Sequence, residues 1–322
     1  MTGLAPLLDA LTAPMAEVEA LIIDKSASIA SRIPEISGHL INAGGKRIRP
    51  LLLLATARLF NPDATPYALA AAVEFIHTAT LLHDDVVDAS NTRRNKPSAN
   101  AVWDNKAPVL VGDFLFSRAF QLMVQVNDMA ILKVLADTAN TIAEGEVLQL
   151  EAQGNLNLSE ARYLDIIHAK TAVLFAAALE VGGRAGGADM ATAIKLHQAG
   201  ACLGMAFQLL DDALDYDGDA EHLGKTLGND FFEGKMTLPL LLALNHASPN
   251  ERNILIHSFS ERTPTDFAQV CSILQRTNSL EQTRARAAFY SQQALDILAA
   301  WKSTPLGDAL RAAVAFLATR SA

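Results

Sequence analysis

The sequence predicts an all-α fold in one domain, on three observations. Apolar residues recur at helical spacing along nearly all of the 322 residues. Half of the residues are hydrophobic but only 6% are aromatic, with Ala and Leu dominating the long segments. No alternating strand pattern with hairpin turns interrupts them. Helix breakers cut this pattern near Pro34, Ala43-Gly44-Gly45, Asn61-Pro62, Asn95 to Ser98, Gly154 to Ser159, Gly182 to Gly187, Ser248-Pro249-Asn250 and Pro305. Pro50 suits the first turn of the helix that follows the Gly pair. Ser159 or Asn157 suits the cap of the helix after Gly154. Linkers and low-complexity tracts are absent, so residues 1–322 read as a single domain. The longest polar connection, Asp217 to Gly234, carries four glycines with Lys225 and Lys235, as a lid over a site would.

Bulk properties remove several functions. A net charge of −9 argues against a nucleic-acid surface. Cys202 and Cys271 have no metal-ligand spacing and read as buried thiols of a reducing compartment. Met1 to Pro14 includes Asp9 and no cationic leader. Apolar stretches such as Thr171 to Leu179 fall short of the ~20 residues that a span requires. A soluble cytoplasmic protein is expected, with peripheral membrane contact left open. The Gly112 to Met123 segment suits either the core or a partner subunit.

Chemistry enters with a repeated cluster, Asp-Asp-x-x-Asp: Asp84, Asp85 and Asp88, then Asp211, Asp212 and Asp215. Each ends an apolar helical run, where aspartates are poor helix formers and costly to bury. Helical spacing puts Asp84 with Asp88, and Asp211 with Asp215, on shared faces. Like charges so close need a cation, and an all-oxygen set suits Mg²⁺ ahead of Mn²⁺ or Ca²⁺. Two such clusters facing one another would clamp a diphosphate through shared ions. Solvated acidic helix ends account for one cluster more readily than for two. Glu74-x-x-His77 has the spacing of a di-iron site, but such sites need a second copy, and Asp165-x-x-His168 echoes it only loosely.

Cations complement the clusters. Gly44-Gly45-Lys46-Arg47-Ile48-Arg49-Pro50 gathers three in one turn where glycine lets backbone approach an anion. Arg93-Arg94 follows the first cluster, where guanidinium forks can meet phosphate oxygens. Lys170-Thr171, Lys225 and Lys235 complete the set.

With the Gly-Gly-Lys-Arg-Ile-Arg-Pro turn, both Asp-Asp-x-x-Asp clusters, Arg93-Arg94 and Gly234-Lys235-Met236-Thr237-Leu238-Pro239, in that order, the chain resembles the trans-polyprenyl diphosphate synthases. It is most similar to the long-chain bacterial members, octaprenyl to decaprenyl diphosphate synthases that supply quinone tails. The resemblance implies a helical bundle of the isoprenoid synthase type around a central cavity, and a homodimer. It implies that Asp84, Asp88 and Asp211 ligate several Mg²⁺ ions, with Mn²⁺ able to substitute, while Asp85, Asp212 and Asp215 complete the clusters. Arg93, Lys170 and Lys235 would grip the allylic diphosphate (farnesyl or geranyl), and Lys225 would close over it. Lys46, Arg49, His77 and Arg94 would hold isopentenyl diphosphate. Thr171 and Gln208 would face the allylic carbons. Asn95 stands where the family usually has Gly, and Arg320 is the one basic residue of the final four, without an assigned role.

The implied reaction ionises the allylic diphosphate, joins the isopentenyl double bond to the cation and loses a proton to the departing diphosphate. Ala79 and Thr80 lie five and four residues before Asp84, about 7 Å along the helix at ~1.5 Å per residue. Their small side chains imply an open path for the growing tail and a C40–C50 product. Ile76, Ile131 and Leu135 are expected tunnel-floor positions. Three other readings are a C20–C30 synthase, a class I terpene cyclase and a non-catalytic synthase subunit. The cyclase has no use for the Lys46–Arg49 turn, and a non-catalytic subunit need not keep either cluster.

Overall fold

The computed structural model describes residues 3–42, 44–93, 96–217 and 227–317. Arg94, Lys225 and Arg320 lie outside the described residues. The architecture is all-α, and the central helices are Ile48–Phe60, Tyr67–Val87, Lys106–Gln125, Met129–Ala152, Val173–Ala185, Met190–Asp217 and Ser279–Leu298. Val173–Ala185 is buried along nearly its whole length, with Glu180 and Arg184 its two charged residues, which suits the middle of a bundle. It packs against both Ile48–Phe60 and Met190–Asp217, and Ser279–Leu298 covers the latter from outside.

Pattern and structure differ at three breaks. Pro34 sits in the first turn of the Arg32–Ile41 helix, where its missing N–H costs nothing. Gly182 and Gly183 stay helical, because a Cβ on Gly182 would come 2.4 Å from the Leu53 carbonyl oxygen. Glycine here buys close helix contact rather than a turn. A further boundary falls at Asp128, whose carboxylate accepts the N–H groups of Ala130 and Ile131 at the start of Met129–Ala152. Ser159, of the two expected caps, is the one that caps Glu160–Ile167. After the first carboxylate cluster the chain makes a minimal antiparallel pair, Thr92–Arg93 with Lys96–Pro97.

Buried side chains form two apolar clusters. The larger includes Phe75, Phe175, Ile76 and Ala79; the smaller surrounds Phe231, Phe259 and the Leu238–His246 helix. Between them opens a cavity of about 450 Å³. The Lys106–Gln125 helix is long and apolar enough to cross a membrane by length and composition alone. Its apolar residues are divided: Val111, Leu115 and Leu122 are buried, whereas Leu110, Phe120 and Val124 are exposed. The Gly112–Met123 segment thus faces the core on one side and the exterior on the other.

Candidate active site

Both carboxylate clusters reach the same cavity. Asp84 and Asp88 line it from the end of Tyr67–Val87, and Asp211 and Asp212 line it from Met190–Asp217. The intervening Asp85 turns inward and is fully buried, where its Oδ1 accepts a hydrogen bond from Arg93 Nε at 2.6 Å. Burial pushes the Asp85 carboxyl upward against the pull of Arg93.

The second cluster corrects one expectation, that Asp211 and Asp215 share the cavity face. Asp215 is fully buried, and its Oδ2 accepts the Asp230 N–H at 3.0 Å. The reason is the returning chain: the Asn229–Glu233 helix covers this level of Met190–Asp217 and takes the carboxylate for its own backbone. Asp212 takes the cavity position instead. Tyr163 OH donates to its Oδ2 at 2.5 Å, and Gln208 Nε2 donates to its Oδ1 at 2.7 Å. Burial and the nearby Asp230 charge push Asp212 up against both donors.

The cations are held in place by acids. Lys170 meets Glu146 at 2.5 Å. Lys235 bridges Asp88 at 2.7 Å and Glu233 at 2.6 Å. Burial lowers the Lys235 pKa, but Asp230, Asp88 and Glu233 together outweigh it and hold the amine well above its ordinary value. Burial, then the charge of Asp84, raises Glu146 to about 7 despite Lys170. Arg49 and His77 also line the cavity, and the Arg49 guanidinium lies 4.4 Å from the centroid of the Phe175 ring.

Local structure explains how Lys170 and Thr171 arrive there. They lie in a five-residue π-helical segment, His168–Ala172, between the Glu160–Ile167 and Val173–Ala185 helices. Such a bulge reorients side chains within a helix and is common at functional sites. Two glycines admit it. A Cβ on Gly204 would stand 2.4 Å from Ala172 Cα, and one on Gly145 would stand 2.8 Å from Ala169 Cβ.

Five further expected residues stand off the cavity lining. Lys46 is exposed, with its amine 5.7 Å from the Phe316 ring centroid. Ala79 and Ile76 are fully buried in the larger apolar cluster, while Thr80 lines the cavity. Thr80 lies one helical step of i,i+4 from Asp84 and shares its face; Ala79, one residue earlier, is turned ~100° away. Ile131 and Leu135 belong to the same buried cluster. The Gly-rich turn hides its third cation: Arg47 pairs with buried Glu74 at 2.7 Å and donates to the Ile41 carbonyl. That pairing accounts for Glu74 without a di-iron centre.

Motif reading missed Glu146, Gln149, Tyr163 and Asp230, all in the lining. Glu146, Gln149 and Gln153 form an i, i+3, i+7 polar stripe on one helical face, a signal present in the sequence. Tyr163 carries no such signal.

The donor set fits divalent cations. It is all oxygen on the acidic side, where burial and then the nearby Asp84 charge raise Glu146. Among the described residues no three His, Cys, Asp or Glu side chains gather around one point. Asp84, Asp88 and Asp211 would hold an ion together with a ligand's oxygens, as Mg²⁺ sites commonly do with phosphates.

The chain is similar to known proteins along most of its length. Residues 30–276 match the model of the polyprenyl synthetase family. The chain is 41% identical over 298 residues to octaprenyl diphosphate synthase of Escherichia coli K12, covering 92% of each. The structure of a polyprenyl synthase from Caulobacter crescentus, complexed with calcium and isoprenyl diphosphate, superposes with a TM-score of 0.95 at 48% identity, covering 99% of this chain and 98% of that one. A decaprenyl diphosphate synthase from Rhodobacter capsulatus gives a TM-score of 0.92 at 45% identity, with 98% of each chain covered. Fold, facing carboxylates and full-length likeness converge: the chain belongs to the polyprenyl synthetase family and is a polyprenyl diphosphate synthase, a prenyltransferase.

Proposed function

We propose that the protein condenses isopentenyl diphosphate onto farnesyl or geranyl diphosphate to build an all-trans C40–C50 polyprenyl diphosphate, for quinone side chains. The observation that carries it is the shared cavity, where Asp84, Asp88 and Asp211 face Arg93, Lys170 and Lys235. Asp84, Asp88 and Asp211 would hold Mg²⁺, with Mn²⁺ as a substitute. Bound ions supply charge neutralisation for the leaving diphosphate.

The chain's own residues do the rest. Lys170, Lys235 and Arg93 exchange their carboxylate partners for diphosphate oxygens and stabilise charge as the allylic bond breaks. Arg49 and His77 orient isopentenyl diphosphate, with Lys46, Arg94 and Lys225 assigned by the family motif. Thr171 and Gln208 place polar atoms beside the allylic carbons. Leu81, Ile166, Ile167 and Phe207 keep water from the cation. The departing diphosphate takes the proton. The enzyme acts in the cytoplasm as a homodimer joined through the exposed apolar faces of Lys106–Gln125 and Met129–Ala152, and releases product by touching a membrane surface.

Incubation of the purified protein with Mg²⁺, farnesyl diphosphate and labelled isopentenyl diphosphate tests this, with product length read by chromatography. A C40–C50 ladder end is expected. A C20–C30 product would correct the length, a cyclised hydrocarbon would replace the reaction class, and no product without a second protein would mark a subunit.

A further inference from the structure

Tyr163 is buried and lies outside every motif. Its hydroxyl donates to Asp212 Oδ2 at 2.5 Å. From Asp212 the chain continues: Gln208 Nε2 donates to Oδ1 at 2.7 Å, and Thr171 Oγ1 donates to Gln208 Oε1 at 2.9 Å.

Each bond fixes the next. A carboxylate only accepts, so Asp212 compels Gln208 to turn its NH₂ inward. The Gln208 carbonyl is then directed at Thr171, on the π-helical segment that carries Lys170. Both Asp212 oxygens are engaged by protein donors, unlike an oxygen offered to an ion. We propose that Asp212 is the hub of an orienting hydrogen-bond chain rather than a metal ligand, and that Tyr163 is the positioning residue that fixes it. Through Asp212 and Gln208 it sets the polar atoms beside the allylic carbons. This rests on the prenyl-transfer reading given above.

The test compares Tyr163→Phe, Asp212→Asn and the double variant with Asp211→Asn. Removing one hydroxyl bonded to a charged group is expected to cost about ten-fold in kcat. The KM for both diphosphates and the Mg²⁺ half-saturation should stay within about two-fold, because one hydrogen-bond donor beyond the ligands is lost. More allylic diphosphate should be lost to water per condensation. The double variant should be no slower than Asp212→Asn alone, as members of one chain are non-additive. Calorimetry with Mg²⁺ and inorganic pyrophosphate supplies a readout apart from turnover: Tyr163→Phe and Asp212→Asn should bind like the wild type, and Asp211→Asn should not. Wild-type kcat in Tyr163→Phe, additive losses, or weakened pyrophosphate binding matching Asp211→Asn would each overturn the proposal. A wild-type protein that fails to condense would sink the prenyl-transfer reading instead, while the calorimetric comparison still decides the role of Asp212.

Discussion

At the residue scale, equal aspartates do unequal work. Asp84 faces the cavity, Asp85 anchors Arg93, and Asp215 anchors the backbone at Asp230. Asp84→Asn should lower turnover by at least about two orders of magnitude, since it strips charge from where the leaving group develops its own. Far-UV circular dichroism should be unchanged. The raised Glu146 pKa, about 7, yields a stability signature in the ligand-free protein. The folded state holds this proton longer than the unfolded chain, so the contribution is complete below the ordinary glutamate range and is lost as pH rises through about 7. Glu146→Gln removes that component, and the Tm difference between acidic and mildly basic buffer should narrow. The clusters were legible because their residue types are improbable in greasy helices. Which member faces the ligand was not, because that depends on the chain segment that folds back over Asp215.

At the element scale, the π-helical His168–Ala172 segment is held by small residues on both sides. Gly204→Val presses a branched side chain against Ala172 backbone and should cost about 1–3 kcal/mol by overpacking, seen in thermal melts. It should also depress kcat, because Lys170 and Thr171 move with the segment. Arg47→Ala leaves Glu74 buried without its cation, and a loss of about 3–5 kcal/mol is expected in denaturant titration. Helix existence was readable from periodicity. The π segment was not, since neither glycine interrupts its own helix and the constraint acts between helices. Gly182 misled for the same reason: glycine signals a turn locally and a close approach globally.

At the scale of the whole molecule, Thr80 lines the cavity and Ala79 lies fully buried beside it. Thr80→Phe should shorten the product while condensation continues. Ala79→Phe should shorten it as well, but with a lower Tm, because a ring must displace fully buried neighbours. Product sizing beside thermal melts separates the two. The cavity as an enclosed space could not be read from the sequence, which gives faces of helices but not the distances between them. Along Met129–Ala152, site-facing Glu146 and Gln149 are each followed directly by an exposed apolar residue, Val147 and Leu150. One helix thus carries site-facing polar residues and exposed apolar residues on adjoining faces. Anything that clasps the outside also steadies Glu146 and, through it, Lys170. The homodimer proposed above predicts that specific activity falls when the enzyme is diluted and recovers on reconcentration.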